Sequence, residues 1–401
     1  MQRTILHVDV NSAFLSWEAA RRVAAGEKDI RLIPSAIGGS GNKRGSVILA
    51  KSVLAKRFGI KTGEPVLMAL RKCPKLYLAK PNFKLYSQSS KAFMSVCLKY
   101  SAAVEQYSID ECFIDVTNAS RIYQSPFSMA EKIKKDINDS LGITVNIGIG
   151  PNKLLAKMAS GFEGPNKIHT LFLEEISEKL WPLPVRALFS VGRATAQRLE
   201  KAFIRTIGEL AHTPLCRVQK LTGEKSGLQI HNFANGIDDE PVLTKPKDAK
   251  GYSISTTLQK DVVSAETAYE VLLVLADSVT MRMRADSAKA FCVSVTIRDN
   301  NFVDKSRQQK LPEPTDITAE VYSISKQLFS KLWDKKTALR LLGISLFDIT
   351  KQESAQQSFF NDGQKQKLRE LDKTIDDIRS KFGADVIARG SLLQSKEDAE
   401  G

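Results

Sequence analysis

Long apolar runs are missing from this chain. None approaches the roughly 18 residues that a membrane-spanning helix needs, and Met1 leads straight into a strand-like segment, so neither a membrane span nor a signal peptide is expected. Thiols and imidazoles are scarce too. The five cysteines (Cys73, Cys97, Cys112, Cys216, Cys292) have neither disulfide-like nor metal-like spacing, and the four histidines form no cluster. A disulfide-stapled secreted scaffold and a zinc domain are thereby excluded, and reduced thiols in a cytoplasmic protein are expected. Acids are the third scarcity. Between Ile30 and Val104 a single one, Glu64, stands among fourteen Lys and Arg, so this stretch carries +13 of the chain's net +14. So concentrated a field points to a polyanion, because displacing counterions from phosphates drives binding. A solvated basic face serving only solubility is the alternative.

What is present is an alternation of strands and helices over 401 residues, 42% of them apolar, enough for two or more cored domains. TILHVDV (4–10) reads as a buried strand and NSAFLSWEAARRVAAGE as the helix after it, which puts a strand-to-helix junction near Asp9. PSAIGGSGNKRGS (34–46) is a loop, VILA a short strand, and KSVLAKRFG a helix closing on Gly59. Helices are expected from about Tyr86 to Tyr100, from Met129 to Ser140 and from Asn152 to Ser160, with ITVNIGIG a strand between the last two. The resulting βαββαβ-like order predicts an α+β sheet with its helices on one face. Residues 171–237 read as helical, KPKDAKG (245–251) as a linker, and residues 252–350 as three β-rich segments flanking two helices, with a polar tail behind them.

The stretch YSIDECFIDV (107–116) sets two adjacent acids, Asp110 and Glu111, inside an apolar run. Burying unpartnered carboxylates is costly, so something must hold them. Successive strand residues face opposite ways, and both acids can serve one site only if the chain bends there. Together with Asp9 at the end of the first strand, they would give three hard oxygen donors suited to magnesium. Two such ions promote in-line displacement at phosphorus. For Asp9 alone, a helix cap is the plainer alternative.

HVDVNSAF, YSIDECFIDV and VNIGIGPNKLLAKMAS, in this order, resemble the Y-family of translesion DNA polymerases over roughly residues 3–395. The resemblance implies a multidomain α+β right-hand polymerase. Its parts would be a ferredoxin-like palm (1–18 and 76–168), small fingers (19–75), a helical thumb (169–240), an α+β little finger (246–350) and a tail (351–401). It further implies that Asp9, Asp110 and Glu111 bind two Mg2+ ions with the backbone carbonyl of Val10. By the same resemblance, Phe14 is the steric gate against a 2′-hydroxyl, and Lys157 contacts the incoming dNTP. In SVLAKRFG the chain departs from the polymerase IV pattern, placing Val53 and Lys56 where a Tyr and an Arg usually hold the phosphates. A lysine supplies charge there without the bidentate fork of arginine. The UmuC-like branch shares both this departure and Asn11, so the subfamily stays open.

LFSVGRATAQRLEKAFIRTIGEL resembles a helix-hairpin-helix turning at Val191-Gly192-Arg193, a device that aims N–H groups at a DNA phosphate. In the little-finger segment Arg282, Arg284, Lys289 and Arg298 are candidate phosphate contacts. In SAQQSFFND (354–362), Gln356 or Gln357 with Phe359 and Phe360 resembles the peptide that docks on a sliding clamp. The function expected from the resemblance is low-fidelity, lesion-tolerant primer extension by a monomer acting in the bacterial cytoplasm, at the nucleoid. A different two-metal phosphoryl enzyme, such as a nuclease, and a catalytically silent DNA-binding scaffold are the alternatives.

Overall fold

The computed structural model describes residues 3–39, 44–118, 123–245, 247–351, 362–383 and 386–387. The chain divides into two compact units, Met1–Asn42 with Ser46–Pro246 and Lys43–Gly45 with Lys247–Gly401. Among the described residues no helix is long and apolar enough to cross a membrane.

The first unit contains the strands β1 (Ile5–Val10), β2 (Ser35–Gly38), β3 (Ile48–Lys51), β4 (Tyr77–Ala79), β5 (Val104–Gln106), β6 (Glu111–Asp115), β7 (Val145–Gly150) and β8 (Ile168–Thr170). Five of them form a sheet in the order β5-β6-β1-β7-β8, with β1 at the centre and antiparallel to both neighbours. Period-2 alternation divides this sheet into two unlike faces. Leu6, Val8 and Val10, with Cys112, Ile114, Val145, Ile147 and Ile149, pack under the helices Phe83–Cys97 and Pro126–Leu141 through Phe93, Val96, Met129, Ile133 and Ile137. The register places Ile5, His7 and Asp9 opposite Asp115, Phe113 and Glu111 on one side, and opposite Gly150, Gly148 and Asn146 on the other. These residues share the second face.

That second face is not bare. The helix Lys153–Ser160 lies on it, with Ala156 buried against Ile5 and Phe113, so the expectation of helices on one face only is corrected. Glycine permits the approach. A Cβ on Gly148 would stand 1.9 Å from the Ala156 carbonyl oxygen and 2.4 Å from the Ser160 nitrogen. Asn152 caps the helix, its side chain accepting from Leu155 N at 2.8 Å while its Nδ2 donates to the carbonyl of Gly236.

A small sheet β3-β2-β4 with its own core of Ile48, Ala55, Ile60, Val66 and Leu76 forms the basic insertion. The helices Arg193–Lys201, Ile207–His212, Leu215–Thr222 and Glu224–Ala234 follow, packed on Leu154 and Leu155. In the second unit β9 (Gly251–Val262), β10 (Lys289–Asp299), β11 (Asp304–Thr315) and β12 (Leu339–Thr350) form a sheet ordered β11-β10-β12-β9, cored against the helices Ala265–Ala285 and Thr318–Leu332. A last helix, Asp362–Phe382, docks on this unit through ion pairs. Arg284 meets Asp372 and Asp376, Arg369 meets Asp316, and Arg379 meets Asp277.

Candidate active site

The glycine-floored sheet face ends in carboxylates. Asp9 and Glu111 are register partners on β1 and β6, so their side chains leave the same face. Asp110 lies one residue before β6, in a turn closed by Tyr107 N and Ser108 N donating to the carbonyl of Glu111. The Asp110 carbonyl accepts from Val10 N at 3.0 Å, and its carboxylate accepts from the Ser108 hydroxyl at 2.6 Å. This bend lets two consecutive acids sit at one end of the sheet.

Their electrostatics are uneven. Burial pushes the Asp9 carboxyl up to about 7, and repulsion from Glu111 and then Asp110 adds to it. Burial also acts upward on Glu111, but bonds from His7 and Lys157 overcome it and bring that carboxyl down to about 2. Both bonds use Oε2, from His7 Nε2 at 3.1 Å and from the Lys157 ammonium. Among the described residues no three His, Cys, Asp or Glu side chains converge closely enough to chelate an ion. The three acids share one neighbourhood, with Glu111 turned toward Lys157. The donor set nevertheless fits a hard divalent cation, because all its groups are oxygens and the mutual repulsion felt by Asp9 is what a bound cation relieves.

Lys157, on the glycine-seated helix, has its ammonium 4.8 Å from the ring centre of Tyr107 and 5.5 Å from that of Phe189. Both rings and Lys157 line a cleft of about 350 Å³ with Phe233, Asp238 and Glu240. Phe14 lies on the helix Ala13–Ala24, behind Ser12, whose φ of 49° turns the chain sharply out of β1. The ring stacks on Tyr86 at 4.5 Å, with Trp17 and Phe83 at 6.0 and 6.4 Å. Lys56 is exposed on the helix Val53–Arg57, which Ser52 caps by accepting from Ala55 N, and Val53 is exposed beside it. Burial and the neighbouring Lys56 lower the pKa of half-buried Lys51, a positive charge that sequence reasoning did not single out.

The impB/mucB/samB family model matches residues 8–161, the model of that family's C-terminal domain residues 249–359, and the model for the thumb domain of DNA polymerase iota residues 186–238. DNA polymerase IV of Clostridium acetobutylicum is 40% identical over 398 residues, covering 99% of this chain and 100% of that protein. DNA polymerase IV of Clostridium kluyveri is 38% identical, covering 99% and 100%. The Y-family DNA polymerase chimera Dbh-Dpo4-Dbh shares the fold, with a TM-score of 0.74 at 22% identity over 86% of this chain and 99% of that one. The chain belongs to the Y-family of DNA polymerases.

Several site expectations for this Y-family chain change on inspection. Upstream of the Val191-Gly192-Arg193 turn the chain forms short helical pieces, the π-helix Ile176–Leu180 and the 3-10 turn Val185–Ala187, in place of a regular α-helix. Pro182 and Pro184 remove backbone donors there, and Val185 N bonds to the carbonyl of Arg205 instead. The helix Arg193–Lys201 does start at the turn, with exposed first residues and no side-chain cap. Arg284 is not a phosphate contact. Its side chain is 11% exposed and bonds Asp372, Asp376 and the carbonyl of Asp316. Gln356, Gln357, Phe359 and Phe360 lie outside the described residues. Sequence reasoning missed His7 and Ser160, which flank the Lys157–Glu111 pair.

Proposed function

We propose that the chain is a translesion DNA polymerase that extends the 3′ end of a primer with dNTPs on a DNA template, using Asp9, Asp110, Glu111 and the Val10 carbonyl as ligands for two magnesium ions. Bound there, the ions supply positive charge to the attacking and leaving oxygens of an in-line displacement at the α-phosphate. Lys157 receives the incoming triphosphate, helped by Lys56 from the fingers. A triphosphate competes with Glu111 for the Lys157 ammonium, so nucleotide arrival releases that carboxylate from the lysine. Phe14, held flat on Tyr86, is the steric gate. Residues 1–18 and 76–168 serve as palm, 19–75 as fingers, 169–240 as thumb and 246–350 as little finger. The uncapped N-terminus of the helix Arg193–Lys201 offers its N–H groups to a DNA phosphate. Gln356, Gln357, Phe359 and Phe360 tether the enzyme, as a monomer in the cytoplasm, to a sliding clamp.

The observation that carries this reading is the pairing of Asp9 with Glu111 across the β1–β6 register, with Asp110 in the adjoining turn and the Lys157 ammonium on Glu111, in a Y-family chain. Asp110→Ala and Glu111→Ala should each abolish primer extension while leaving duplex binding intact. Substantial extension by both variants would overturn the assignment of the acids.

A further inference from the structure

His7 is 1% exposed and packs on Phe113 with ring centres 4.7 Å apart, a placement that at first resembles ordinary core. Both of its nitrogens are nevertheless engaged. Nδ1 lies 2.7 Å from Ser160 Oγ, and Nε2 lies 3.1 Å from Glu111 Oε2. Ser160 Oγ is also 2.8 Å from the carbonyl oxygen of Lys157. A hydroxyl has one proton to give, and a neutral imidazole has one donor and one acceptor. If the neutral ring donated from Nδ1, the Nε2 lone pair would face a carboxylate oxygen at 3.1 Å, with the Lys157 ammonium farther off at 3.5 Å. With the hydroxyl proton on Nδ1, Nε2–H donates to Glu111, and the contact left unsatisfied is the one between the Ser160 hydroxyl oxygen and the neutral Lys157 carbonyl, which costs less than a lone pair set against a carboxylate. A doubly protonated ring would also donate from Nε2. Glu111 therefore receives a hydrogen bond from His7 in either state.

The two donors on Oε2 differ in what they can do. Lys157 is the partner that a triphosphate competes for, whereas His7 is sealed in the sheet face and has nowhere to go. We propose that His7 is a positioning residue of the polymerase reaction: fixed by Ser160, its Nε2–H holds the Glu111 carboxylate in place while Lys157 turns to the triphosphate. The inference rests on the assignment of Glu111 as a metal ligand. Hydrogen bonds that orient a ligating carboxylate are worth roughly 10- to 100-fold in metal affinity.

The test uses the full chain on a dideoxy-terminated primer–template, where dNTP binding is read without chemistry as magnesium is titrated. His7→Leu should raise the magnesium concentration for half-maximal dNTP binding by roughly 10- to 100-fold, with duplex affinity in the absence of nucleotide unchanged. His7→Gln, which keeps an N–H donor, should recover most of the loss, and Ser160→Ala should shift the midpoint severalfold. If His7→Leu does not fold, Ser160→Ala and His7→Gln decide, and a parental midpoint in Ser160→Ala overturns the proposal. Folded His7→Leu with the parental midpoint, or a loss that His7→Gln does not rescue, also overturns it. Glu111→Ala separates the two readings. If it leaves the midpoint unchanged, the metal-ligand assignment falls and takes this inference with it; if it shifts the midpoint while folded His7 variants do not, only the role of His7 is refuted.

Discussion

Gly148→Ala adds one methyl group where β7 meets the helix that carries Lys157, and the structure fixes what that methyl must displace. The new Cβ would lie 1.9 Å from the Ala156 oxygen and 2.4 Å from the Ser160 nitrogen, two backbone groups four residues apart that an α-helix joins by a hydrogen bond. Neither is a flexible side-chain end. To reach even a tight contact the helix must retreat by roughly 1 Å, since packed interiors hold no spare volume. A retreat of that size lengthens the 2.7 Å contact between Ser160 and His7 past hydrogen-bond range and draws Lys157 off Glu111. Overpacking of this kind costs about 1–3 kcal/mol of stability. A misplacement of about 1 Å costs on the order of 10²-fold in rate. Single-nucleotide insertion kinetics and thermal melting of the same preparation measure both. Gly150→Ala serves as the graded comparison, because its nearest heavy atom would stand at 2.8 Å. Parental insertion by Gly148→Ala, or a larger loss at Gly150, would refute the seating of this helix on glycine.

Three further outcomes are expected. Phe14→Ala should relax selectivity against ribonucleotides by roughly 10- to 100-fold with a smaller loss of dNTP insertion; equal losses for both nucleotides would make Phe14 only a support for Tyr86. In chelator the buried Asp9 carboxyl, raised to about 7, keeps a proton in the native chain that the unfolded chain releases near 4, so stability falls as pH rises from about 4 to about 7. Asp9→Asn should remove this decline and melt higher than the parent above pH 7, whereas parallel pH–melting curves would refute it. Arg284→Ala strips the buried partner of Asp372 and Asp376, should cost about 3–5 kcal/mol in the second unit, and should open the helix Asp362–Phe382 to protease; unchanged melting and cleavage would count against its ion-pair docking.

What could be read beforehand followed local rules. The alternation in TILHVDV and ITVNIGIG gave strands because a strand between two layers separates its faces residue by residue, and SVLAKRFG closed on Gly59 because that glycine adopts φ 73°. β11 (DKSRQQKLPEPT) escaped because it is an edge strand exposed on both faces until its last residues, so no alternation marks it. The side of the sheet taken by the helix Lys153–Ser160 escaped for a different reason. Alternation says that two faces exist, not which helix covers which, although Asn146, Gly148 and Gly150 at every second position were the available sign of a backbone lying close on that face.

The site divides along the same line. Asp9, Asp110 and Glu111 were legible as a question because charge inside an apolar run has no cheap structural reason, and the answer to their adjacency is the turn that places Asp110 just ahead of β6. His7 raised no such question, since an imidazole at an alternate position of a buried strand reads as core. Its significance depends on partners 104 and 153 residues away, Glu111 brought beside it by the β1–β6 register and Ser160 by the helix that returns across the glycines. A pattern read within a window of ten residues registers the strand that carries His7; only the closed sheet supplies the carboxylate on one ring nitrogen and the hydroxyl on the other. Residues that bind charge directly announce themselves by being costly where they stand, while those that orient them are inexpensive locally and become visible through the fold.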